Sequence, residues 1–334
     1  MIRAAGTAFA AFSAVAILAA GSPSAARQPD TLAYVSTLTG RLTLTTDGLV
    51  QRPLLRARKV GGFAWSPDGR QIAFISSGEL HVVNADGSGV RRLRAKPIDG
   101  RIAWSPDGRR IAFTGAGGGS VRIFILGVGG GAPKVLTSSV PAPVLPSWSP
   151  TGSRIAFTSA NTNFGHIYTV RADGTDLRRL TAGRGESFPW WSPDGRLILF
   201  QPYICPGGTC GYGISVMDAD GTHQRLLAHL PGAPGGGGLH ASWSPDSRRI
   251  AFLRLREHGV DSDILVVGVQ DRRLRRVATD SRSFSPPAWS PDGRRIAYAS
   301  GYGSGTSITV MNADGSVKRQ FVEFAVSPAF QPTR

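Results

Sequence analysis

The sequence predicts an all-β fold: a seven-bladed β-propeller of four-stranded antiparallel blades, with six blades as the alternative. Three observations carry this. The phrase WSPDGRQIAF and its variants recur at Trp65, Trp104, Trp148, Trp191, Trp243 and Trp289. Together with a degenerate seventh copy ending at Phe330, the repeats are spaced by 39 to 52 residues, the period of a propeller blade. Most units also hold a second turn rich in Asp and Gly (VVNADGSG, VRADGT, MDADGT, MNADGS) between alternating apolar runs, the pattern of an antiparallel meander.

The elements follow in chain order. Residues 1–26 read as a secretory signal peptide: a lone charge at Arg3, an apolar run over Ala4–Ala20, and Ser24-Ala25-Ala26 at the cleavage position. The run is short and rich in Ala and Gly for a spanning helix, and no later stretch is apolar enough to cross a membrane. The mature chain is expected to be exported, periplasmic or extracellular, with its propeller over residues 31–330. TLAYVS (31–36), RLTLTTDG (41–48) and QRPLL (51–55) match the second, third and fourth strands of a blade, with no Trp-bearing first strand before them. AVSPAFQP near the C-terminus supplies that strand, so one blade is expected to be shared by both termini. Such closure ties down both ends and leaves no open blade. In each remaining unit the first strand ends at the Trp and Ser-Pro-Asp-Gly makes the turn, with Thr151 in place of the Asp in the third copy and Ser247 in place of the Gly in the fifth. A second strand such as Gln71–Ile75 follows, then a third strand and its turn, then a polar fourth strand such as Arg91–Leu93.

WSPDGRxIAF, followed by a D-x-DG or A-DG turn and an RRL strand, resembles the TolB-type β-propeller repeat. The resemblance covers residues 31 to 330 and recurs in phase. It implies the fold firmly; blades of this kind also occur beside serine peptidases and in polysaccharide lyases, so it implies function only weakly. TolB carries an α/β domain before its propeller, and here the resemblance is to the propeller alone.

The motif offers several groups that resemble chemistry. Asp68, Asp107, Asp194, Asp246 and Asp292 recur on separate blades, as turn formers do and catalytic residues do not. The Trp residues are expected to wedge the core between blades. No G-x-S-x-G elbow is present; GYGSGTS (301–307) fails the pattern. The six His residues form no H-x-H or H-x-x-x-H pair, and Asp261 with Asp263 falls short of a Ca²⁺ site. No metal and no cofactor is expected. Cys205 and Cys210, in YICPGGTCGYG, are expected to form a local disulfide in an oxidising compartment.

Function is therefore sought in the loops that do not repeat, since irregular loops on a rigid scaffold carry binding sites. Phe164, Tyr203, Tyr212, Phe284 and Tyr302 are the aromatic candidates there, and His240 is the candidate at the channel mouth. The opposite face carries the repeating turns and most of the Arg. Of 38 cationic residues 34 are Arg, for a net charge of +16. A basic rim is expected on that face. It keeps strand edges apart or meets an anionic envelope polymer; export argues against nucleic acid. The expected protein is a monomeric, non-catalytic propeller that binds a protein or envelope partner. A glycan-acting lyase or hydrolase with its site at the channel mouth is the alternative.

Overall fold

The computed structural model describes residues 31–333, except 47, 55–58, 100, 138, 160–164, 184, 232–240, 257–261, 280–284 and 302–304. The signal-peptide reading at 1–26 lies outside the described residues.

Each repeat begins with a turn that its own side chains build. Gly69 adopts a left-handed φ of +66°, which glycine accepts without steric cost. Ser66 Oγ donates to Asp68 Oδ1 at 2.6 Å and accepts from the Gln71 N–H at 2.9 Å; Asp68 Oδ1 also accepts from the Arg70 N–H at 3.1 Å. The same bonds recur at Ser105 and Asp107, Ser192 and Asp194, Ser244 and Asp246, and Ser290 and Asp292. Each of these carboxylates is thus committed to its own hairpin. The third copy is weaker. Thr151 Oγ1 accepts from the Ser153 N–H only at 3.4 Å and lies 3.2 Å from Ser149 Oγ. Thr151→Asp is expected to stabilise the protein by about 0.5–1.5 kcal/mol, seen as a higher urea midpoint. An unchanged midpoint would mean the carboxylate adds nothing to the turn.

These turns also give the fold an acid limit. Hydrogen bonds from the Ser105 hydroxyl and the Arg109 N–H hold Asp107 below its ordinary value of 3.8. Asp86, Asp173, Asp220 and Asp314, in the second turns, are lowered chiefly by the hydroxyls of Ser88, Thr175, Thr222 and Ser316. A carboxylate whose folded pKa lies below its unfolded one stabilises the fold above the unfolded value. That contribution is lost as pH falls below 3.8 through the depressed folded values. Urea unfolding is expected to show stability level above about pH 5 and falling below about pH 4, with a shallower fall in Asp107→Asn. Equal acid slopes in the two proteins would contradict this assignment.

Seven sheets result. Blade 1 is composite: Ala325–Phe330, Leu32–Ser36, Leu42–Thr45 and Arg52–Pro53, paired in that order. Leu32 stands opposite Phe330 and Ser36 opposite Ala325. Blade 2 runs Val60–Trp65, Gln71–Ser76, Glu79–Asn84, Arg91–Leu93. Blades 3 to 7 open on Ala103–Trp104, Pro143–Trp148, Ser187–Trp191, Ala241–Trp243 and Ala288–Trp289. Seven blades, closed by both ends of the chain, match the first of the two sequence expectations.

The core is a ring of seams. Among the described residues, the buried apolar side chains fall into seven clusters, each drawn from two adjacent blades. In the second strand of blade 2, Ile72 and Phe74 pack toward blade 1, while Ala73 and Ile75 pack toward blade 3. This is the period-two alternation of a strand buried on both faces. First strands of neighbouring blades touch one another around the central axis, whereas fourth strands such as Lys134–Val135 and Arg178–Arg179 are exposed.

The repeated Trp residues lock these seams by a bond that the motif alone does not display. The indole N–H of Trp104 donates to Ala64 O at 3.1 Å, the residue just before Trp65 in the preceding blade. Trp65, Trp148, Trp243 and Trp289 do the same to Ala329, Ala103, Trp190 and Ser242, at 3.0 to 3.2 Å. Trp191 is the exception: its buried indole nitrogen has no partner.

Candidate functional site

Blade topology places the first and second turns of every repeat on one face. The hairpins between second and third strands, and the links from blade to blade, lie on the other. Among the described residues, the most elaborate of these hairpins belongs to blade 5. Here a short extra strand, Tyr203–Ile204, pairs with Gly211–Tyr212. The tip beyond it makes a 3₁₀ turn at Pro206–Gly208 and is closed by a disulfide between Cys205 and Cys210. Tyr203 and Tyr212 are register partners, with ring centroids 5.2 Å apart and planes at 64°. Tyr203 is 42% exposed and Tyr212 half-buried. Gly185 holds the base of the hairpin: a Cβ there would meet the Tyr203 Cβ at 3.0 Å, and its φ is +73°. The structure thus brings two of the sequence candidates together at one edge. Phe164, His240, Phe284 and Tyr302 lie outside the described residues.

The central channel holds a second feature. Arg101, in the link before the first strand of blade 3, places its guanidinium 4.7 Å over the ring of Trp190 in blade 5. Blade 4 separates the two, so this cation–π contact spans the channel. Burial lowers the Arg101 pKa to about 10, opposed by the charge of Asp99. Asp99 itself staples blade 3 to blade 4: Oδ2 accepts from the Thr114 hydroxyl at 2.5 Å and from the Leu145 N–H at 3.3 Å. That N–H is free because the inner strand of blade 4 bulges there, with Leu145 at φ +60°. Blade 5 repeats the device, with Phe188 at φ +57° donating its N–H to Thr158 Oγ1 at 3.1 Å. Bulges of this kind re-aim side chains near sites, and no spacing in the sequence marks them.

A third feature is a cavity of about 390 Å³ between blades 2 and 3. The stacked rings of Phe113 and Phe124 lie against it, with Glu79, Arg92, Arg94 and Lys96 at its edge. Gly115 and Gly117 make room for the Phe124 ring, since a Cβ at either would lie 3.1 or 2.8 Å from it.

Residues 21–208 match the family model described as the TolB beta propeller domain. The chain belongs to the TolB β-propeller domain family. No curated protein sequence matches it. TolB from Acinetobacter baumannii is 20% identical, with a TM-score of 0.57 over 91% of this chain and 67% of that one. An oligogalacturonate lyase in complex with manganese is 15% identical, with a TM-score of 0.66 over 81% of this chain and 82% of that one. Another, from Vibrio parahaemolyticus, is 13% identical, with a TM-score of 0.65 over the same shares. At these identities the likeness is one of fold.

The repeating face of this TolB-family propeller is basic, but not all its Arg residues face water. Where two residues follow the first turn, the first is exposed and the second half-buried: Arg109 and Arg110, Arg248 and Arg249, Arg294 and Arg295. Arg110 stacks 4.8 Å over Trp148 of the next blade, and Arg249 stacks 4.7 Å over Trp289. Arg154 in the same position makes two bonds to Asp176 Oδ2, both at 2.9 Å. Arg110 and Arg249 are thus seam clamps, whereas Arg154 ties the second strand of blade 4 to the second turn of its own blade; the count of charges in the sequence did not reveal either role. The face also exposes aliphatic residues just after the second turns: Leu49, Val90, Leu177 and Val317. Among the described residues, no group of three or more His, Cys, Asp and Glu is placed to hold a metal. No helix among them is long and apolar enough to cross a membrane.

Proposed function

We propose that this TolB-family propeller is an exported, non-catalytic interaction module that grips a protein partner with its varied-loop face. The observation that carries this is the blade 5 hairpin, where Tyr203 and Tyr212 present an aromatic edge on a disulfide-closed support. Aromatic anchors held rigid lose little entropy on binding and dominate interface energies. Export is supported by the leader-like residues 1–26 and fits the disulfide. The repeating face, with aliphatic tips set among arginines, suits an anionic envelope surface as a second contact.

Affinity capture from the native envelope tests the reading, using the wild type beside Tyr203→Ala and Cys205→Ser/Cys210→Ser. A specific partner held by the wild type and lost by both variants is expected. Recovery of nothing specific, or equal recovery by all three, counts against it. A glycan-acting enzyme is the second reading. It is supported by likeness in fold to the lyases, and turnover of an acidic oligosaccharide by the purified protein would favour it.

A further inference from the structure

We propose that the central channel binds a carboxylate group, with Arg101 as the residue that receives it. This goes beyond the interaction reading and does not depend on it. The seven inner strands read VGGFAW, AW, PVLPSW, SFPWW, ASW, AW and AVSPAF, and none carries a charged side chain. Into this uncharged wall Arg101 brings a guanidinium. Trp190 holds its flat face, which leaves the N–H edges as the groups available for bonding.

One of those edges is unfilled. Arg101 Nη1 is shielded from solvent and has no hydrogen-bond partner. Asp99, the carboxylate that acts on Arg101 electrostatically, already takes the Thr114 hydroxyl, the Leu145 N–H and the backbone N–H of Arg101. Arg101 remains protonated at neutral pH. An unpaired buried donor on a cation is costly, and a guanidinium edge matches a carboxylate through two parallel N–H bonds. Asp99 close by disfavours a dianion such as phosphate, which narrows the class to a monoanionic carboxylate. The carboxylate belongs either to a free organic acid or to the C-terminus of a peptide.

The test is a titration of the full chain, at constant ionic strength, with acetate, benzoate, a tripeptide with a free C-terminus, and the amide of each. Melting temperature and tryptophan fluorescence are the readouts. At least one acid is expected to raise the melting temperature and perturb the fluorescence where its amide does neither. Binding by the free acids assigns the first source, and binding by the tripeptide alone assigns the second. Arg101→Gln is expected to weaken the binding about tenfold or more, while Arg92→Gln on the outer strand of blade 2 leaves it unchanged. Acids that bind no better than their amides overturn the proposal, as does full affinity in Arg101→Gln. If Arg101→Gln fails to fold, the acid-to-amide contrast in the wild type and its loss in Arg101→Met decide the matter.

Discussion

Removing residues 325–334 is expected to abolish cooperative folding. The strand Ala325–Phe330 is the inner strand of blade 1 and joins the C-terminal end of the chain to the N-terminal strands. Its loss strips the pairing partner from Leu32–Ser36 and removes Ala325 and Phe330 from the seam between blades 7 and 1. It also removes the acceptor of the Trp65 indole at Ala329 O, and the bond from Gln331 Nε2 to Gly69 O at 2.7 Å. Two blades would then face each other across an open seam, with a bare apolar strand edge toward the axis. Circular dichroism on heating is expected to show a broad, early transition, and size exclusion to show aggregates. Removing only residues 333 and 334 is the control and leaves the transition in place. A sharp transition in the shorter chain, close to that of the full chain, would mean that closure is dispensable.

Trp148→Ala is expected to cost about 3–5 kcal/mol. Trp148 is 7% exposed in the seam between blades 3 and 4. Its indole N–H donates to Ala103 O, and the Arg110 guanidinium covers its ring. The single-atom version of the test is more selective. Trp148→Phe gives up the inter-blade hydrogen bond, at about 0.5–1.5 kcal/mol beyond the change in packing. Trp191→Phe gives up no such bond, because the Trp191 nitrogen is buried without a partner, so it is expected to cost less than Trp148→Phe. Urea unfolding of the two variants measures the difference. Equal costs, or a larger cost at Trp191, would refute the seam role assigned to the indole N–H.

Much of this architecture is legible in the residues alone, and for an identifiable reason. The Ser-Pro-Asp-Gly hairpin is closed by side chains two to five residues apart, so its chemistry is local and its recurrence gives the blade length. The missing Trp-bearing strand at the N-terminus and the surplus one at the C-terminus predict the shared blade. Tyr203, Tyr212, Cys205 and Cys210 stand out because they interrupt the repeat. The seam contacts are less visible. Arg109 and Arg110 are chemically identical, and only the twist of the blade decides that the first meets water and the second lies on the next Trp.

By itself, then, the sequence determined the repeat, the turns and the closing strand, and left seven blades against six, because these rest on neighbours along the chain. Only the tertiary structure decided that seven blades close the ring, that five of the six repeated Trp indoles reach back to the preceding blade, that the inner strands of blades 4 and 5 bulge, and that Arg101 crosses the channel to Trp190. Each of those contacts joins residues about one or two blade lengths apart, or the two ends of the chain. They come together only when the ring closes, and no local pattern encodes that geometry.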